Sequence, residues 1–68
     1  MIANDQELQV TFNRIRSFQE QVAALRRTEP DPENYRDSAG GFLAEIDRMQ
    51  LEVREFLAHH PAEVVAPN

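Results

Sequence analysis

Thr28-Glu29-Pro30-Asp31-Pro32 decides how this 68-residue chain folds. A helix does not easily cross it. Proline lacks a backbone N–H, its ring clashes with the preceding turn, and the residue before each proline is pushed towards extended conformations. On the N-terminal side, Leu8, Thr11, Ile15, Phe18, Val22 and Leu25 recur in steps of three and four. On the C-terminal side, Phe42, Ile46, Met49, Val53 and Phe56 do the same. This is the spacing of a coiled-coil-like seam, with each set on one stripe of a helix. The expected fold is all-α: an antiparallel two-helix hairpin over residues 1–60, with its two stripes face to face.

The ends of each helix carry their own signals. Asn4 is a good N-cap, with Glu7 three residues later in capping-box position. Helix 1 is expected over about 5–27, with Arg26 and Arg27 in its last turn, where the helix dipole favours positive charge. Asp31 fits an N-cap with Pro32 at the first helical position, so helix 2 is expected over about 32–59. Ser38-Ala39-Gly40-Gly41 interrupts that expectation, since each glycine costs about 0.8–1 kcal/mol relative to alanine within a helix. Propensity favours a break there, with Ser38 capping a new start. The spacing Tyr35–Ala39–Phe42–Ile46 favours a single helix, and we expect continuity. Pro61 stops the helix, and residues 61–68 are expected to be a flexible C-terminal tail.

Composition narrows the function classes. The net charge is −5, which argues against direct contact with nucleic acid or an anionic membrane, because both need a basic face. All seven basic residues are arginine, which the arginine-biased codons of a GC-rich genome explain more simply than an interface rich in bidentate pairing to carboxylates. There is no cysteine, so disulfides and zinc–thiolate sites are excluded. No apolar run approaches membrane-spanning length, and the opening Met1-Ile2-Ala3-Asn4-Asp5 reads as a native start without a signal peptide. The expected location is the cytoplasm.

Candidate chemistry is sparse. Glu55 and His59 stand one helical turn apart, with His60 next, a spacing at which carboxylate and imidazole can share a metal. Two or three ligands on one fraying turn make a weak site, and a histidine meeting the dipole at a helix C-terminus is the simpler reading. Glu45, Asp47, Glu52 and Glu55 do not converge on the seam and read as a solvated face. Arg16 with Glu20, and Arg48 with Glu52, are spaced to pair across one turn. Ser17, Ser38 and Thr11 have no histidine placed to activate them. Gly40-Gly41 alone is no phosphate loop; close helix–helix approach or a local kink explains it more simply. Thr11 either bonds its own helix backbone or helps to set the register of the seam. No catalytic residue, metal or cofactor is expected.

Part of the chain resembles a known family. The opening Met1-Ile2-Ala3-Asn4-Asp5-Gln6-Glu7-Leu8-Gln9-Val10-Thr11, followed by Phe18, resembles the start of the N-terminal helical hairpin of HigA-like, helix-turn-helix bacterial antitoxins. The stretch Leu43-Ala44-Glu45-Ile46-Asp47-Arg48-Met49-Gln50-Leu51-Glu52-Val53-Arg54-Glu55-Phe56-Leu57 is similar to their second helix. The resemblance spans about residues 1–57. Those antitoxins continue into a DNA-binding domain, whereas this sequence stops at Asn68, so DNA binding is not carried over. What the resemblance implies is a hairpin for self-association or partner binding, as an antitoxin-like or regulatory subunit.

A hairpin of this size has one seam to bury, and chains this short often need association to be stable. Phe12, Leu43 and Leu57 flank the seam without belonging to it, and they are the candidate interface residues. Val10 and Leu51 lie further off the stripes. The expected assembly is a homodimer forming a four-helix bundle, and the expected function is a non-enzymatic protein–protein interaction module. The competing class is a small metal-binding or enzymatic helical bundle, which would place Glu and His on the inward positions.

Overall fold

The computed structural model describes residues 1–63. It contains two helices, α1 (Asp5–Thr28) and α2 (Pro32–Leu57), and no strand among the described residues. The chain is an all-α helical hairpin.

The capping box forms at the start of α1. Glu7 N–H donates to Asn4 Oδ1 at 2.8 Å, and Ala3 N–H donates to Glu7 Oε1 at 2.8 Å. The reciprocal bond therefore reaches one residue further out than the cap itself, and it turns residues before the helix back along it. Asp5 and Glu7 occupy the first turn, and Arg26 and Arg27 the last, so both ends suit the dipole.

The connection owes its shape to its prolines. Glu29 (φ −92°, ψ 110°) and Asp31 (φ −94°, ψ 116°) are both extended, as residues preceding proline must be. The Glu29 N–H still donates to Leu25 O at 2.9 Å, closing α1. Asp31 Oδ1 accepts from Glu33 N–H at 2.9 Å, and Pro32 opens α2 where no N–H is required. Two extended residues so close together reverse the chain in three residues.

The heptad stripes make the seam. Leu8, Ile15 and Val22 of α1 are buried, as are Ala39, Ile46 and Met49 of α2. Phe18, Tyr35, Phe42 and Val53 pack against this core, half-buried. The Phe18 and Phe42 rings meet edge to face, with centroids 5.4 Å apart and planes inclined at 72°, a favoured geometry for aromatic pairs. Ala39 is the most deeply buried residue of the core, at 1% exposure; a small side chain there lets the helices come together near the turn. Thr11 settles its seam position locally: its hydroxyl donates to Glu7 O at 2.9 Å, so it needs no partner across the seam.

α2 passes through Gly40-Gly41 without a break. Neither glycine has a positive φ, and a Cβ added to either would meet nothing within 4 Å. Burial of Ala39 and Phe42 on either side outweighs the local cost of the pair. Ser38 is accordingly an exposed residue inside the helix and caps nothing.

The helix ends at Leu57, two residues before the expected His59. Pro61 is the cause. It disfavours helical backbone at His60 and offers no N–H to the Leu57 carbonyl, so the last turn tightens. His59 N–H donates to Phe56 O at 3.4 Å, a three-residue span. Within the expected tail, residues 61–63 form a turn closed by Glu63 N–H donating to His60 O at 2.8 Å; residues 64–68 lie outside the described residues.

Gly41→Ala should raise the stability of the hairpin by about 0.5–1 kcal/mol, since the helical backbone and open space there accept a methyl group. Chemical denaturation followed by circular dichroism checks this; a loss of stability would mean that the glycine is needed for its backbone.

Candidate interaction surface

The register of the seam sorts the exposed residues onto two sides of the hairpin. Continuing from Phe18 opposite Phe42, the antiparallel register sets Ile15 opposite Ile46, and Leu8 opposite Val53. Beside these layers each helix carries one column of flanking residues per side.

One side is charged. Arg48 donates from Nη2 to Glu45 Oε1 at 2.6 Å and from Nη1 to Glu52 Oε2 at 2.9 Å. The hydrogen bond and the charge of Arg48 lower the Glu45 pKa, with a smaller contribution from Arg14 across the seam. The same contacts raise the Arg48 pKa, the bond to Glu45 most of all. Glu52 also lies 3.9 Å from the N-terminal ammonium of Met1. The expected Arg48–Glu52 pair is therefore part of a wider network that takes in Glu45 and the N-terminus. The Arg16–Glu20 pair is not made: the ion pairs among the described residues involve neither side chain.

The opposite side is apolar along its middle. Phe12 shares a shallow groove with Gln9, Asn13, Arg16, Gln19 and Gln50, so Phe12 and Gln50 face each other across the seam. Leu43 and Leu57 lie one heptad to either side of Gln50 on α2. Phe12 is 40% exposed, Leu43 46% and Leu57 60%. Between them stand the uncharged Gln19 and Gln50. Val10, 52% exposed, points away from this column on α1.

The open end of the hairpin adds a second groove, formed by residues 1–5 and the end of α2. Ile2, Phe56, Leu57, Ala58 and His59 are among its lining residues. Ile2 is buried to 7% exposure although it precedes the helix. Heptad spacing does not register a residue outside a helix; the one sequence signal for it is the capping box, which folds the first residues back onto α2. His59 and His60 lie beyond the end of α2, so the Glu55 and His59 pair straddles the helix end. His59 Nδ1 instead lies 3.9 Å from Glu63 Oε1. Among the described residues, no three His, Cys, Asp or Glu side chains are grouped to hold a metal ion, and no helix is long and apolar enough to cross a membrane.

In an NMR titration, the Glu45 carboxyl should lose its proton below the ordinary glutamate range, and Arg48→Ala should return it to that range. The stabilisation it supplies is present above the ordinary glutamate range and is lost as pH falls through the lowered value. Glu45 is half-exposed, so solvent screening keeps that contribution small; an unshifted Glu45 in the intact protein would mean that the bond to Arg48 does not persist in solution.

Comparison of the chain with protein-family models, with curated proteins and with solved structures gives no match.

Proposed function

We propose that this protein is a non-enzymatic protein–protein interaction module that works as a homodimer, two hairpins joined into a four-helix bundle. The observation that carries the reading is the one-sided distribution of its exposed residues. Phe12, Leu43 and Leu57 share the side that lacks charge along its middle, while the other side holds the Glu45–Arg48–Glu52 network. Large apolar side chains aligned with uncharged glutamines along one side of a small domain are the kind of surface that a partner covers.

Size points the same way. A helix of 24 residues is about 36 Å long, and two packed helices are about 18–20 Å wide. Pairing two such faces buries roughly 1,300–1,400 Å² in total, within the range of specific interfaces. The second copy offers the same uncharged stripe, and two-fold pairing is the commonest way to cover it.

An antitoxin-like or regulatory subunit is the most concrete version of this role, and it rests on the resemblance of residues 1–57. The competing metal-binding or enzymatic bundle would carry ligands on its inward positions, and those are Leu8, Ile15, Val22, Ala39, Ile46 and Met49. The net charge of −5 favours a protein partner over a nucleic acid or an anionic membrane.

Sedimentation equilibrium at micromolar concentration should find a dimer. Leu43→Glu and Leu57→Glu should each weaken it about tenfold or more by placing a charge in its core, while Val10→Glu, on the polar side, should leave it unchanged. A stable folded monomer for the unmodified protein overturns the proposal. Unaltered association in both leucine variants would move the contact to another surface.

A further inference from the structure

The apolar column has a charged flank on each helix. Arg16 follows Phe12 by four residues and precedes Gln19 by three, which sets it on the outer edge of the α1 side of the face. Asp47 stands in the same relation to Leu43 and Gln50 on α2. Neither side chain takes part in the ion pairs among the described residues. One heptad nearer the turn, the same two edges carry Ala23 on α1 and Gly40 on α2. Gly40 lies in regular helix with open space where its Cβ would be, so nothing inside the hairpin requires a glycine there.

Two arrangements with full helix overlap let a second copy cover this face. With the loops at opposite ends, α1 lies on the partner's α1 and α2 on the partner's α2. Arg16 then meets the partner's Arg16, and Asp47 the partner's Asp47, like against like near the middle of the interface. With the loops at the same end, α1 lies on the partner's α2. Arg16 then meets the partner's Asp47, twice by symmetry, and Ala23 meets the partner's Gly40, where two of the smallest residues let the backbones approach.

Resting on self-association through that face, we infer that the two hairpins pack side by side with their loops at the same end, α1 of each against α2 of the other. The two-fold axis then runs along the hairpins, so no sliding is allowed and these pairings are fixed. The arrangement also gathers Arg26 and Arg36 of both copies at the loop end. These are long side chains at helix ends, able to reach water, and salt at about 0.15 M screens charges beyond about 8 Å.

Charge reversal and distance measurement test the arrangement together. Arg16→Asp and Asp47→Arg should each raise the dimer Kd about tenfold, and the double variant should return to within about threefold of the original. Gly40→Leu should weaken the dimer, whereas Gly41→Leu, one position round the helix and off this face, should not. Because the chain has no cysteine, a spin label on Glu29→Cys reads the loop-to-loop distance directly. Labels within about 30 Å support the shared end; a distance beyond about 35 Å, the length of one helix, overturns it. A dimer whose charge reversals are additive and whose loops lie far apart refutes the arrangement and leaves self-association standing. The absence of any dimer refutes both.

Discussion

Glu29 and Asp31 each precede a proline, and the ring that follows holds each of them out of the helical region. The rest of the hairpin depends on this constraint. Two extended residues around Pro30 give a reversal too short to slide, so Leu25 at the end of α1 and Tyr35 in the first turn of α2 are brought opposite each other. From there the register propagates through the Phe18–Phe42 pair to Leu8 and Val53. A looser connection would let the stripes shift by a turn, and the flanking residues would no longer sort onto two distinct sides.

The seam itself is ordinary in composition and unequal in depth. One layer series, Leu8, Ile15 and Val22 against Ala39 and Ile46, is buried, while Phe18, Phe42, Val53 and Phe56 are only half-covered. A pair of helices surrounds a side chain on one side of the contact and leaves the other to water. That geometry leaves Phe12, Leu43 and Leu57 beside the seam, exposed among the described residues. The same limit on what one hairpin can bury is the physical ground for the proposed association.

Polar groups make the two sides different. Arg48 bridges two glutamates on one side, at exposed positions where each contact contributes little to stability. Their effect is on recognition: a surface carrying fixed charges is costly to cover, whereas one whose middle is Gln19, Gln50 and three apolar side chains is not. The asymmetry therefore gives the hairpin one charged side and one side that is uncharged along its middle.

Much of this was written in local sequence. The stripes, the Asn4 cap and the proline turn all follow from residues close together in the chain, because helices are built from contacts three and four residues apart. The candidate residues Phe12, Leu43 and Leu57 could be picked out as flanking the seam for the same reason. That Phe12 and Gln50 share one groove, with Arg14 and Glu45 on the other side, required the register between helices, which is a tertiary quantity. So did the burial of Ile2, a residue in no helix whose position comes from a capping bond and the nearby end of α2. Thr11 and the last turn of α2 were decided by competition: the threonine hydroxyl took a backbone carbonyl of its own helix, and Pro61 ended α2 at Leu57. Sequence alone determined that two amphipathic helices must fold back on each other, since the spacing and the prolines admit little else. Only the packed structure decided which side of that hairpin is left apolar, because a side exists only once two helices share a register.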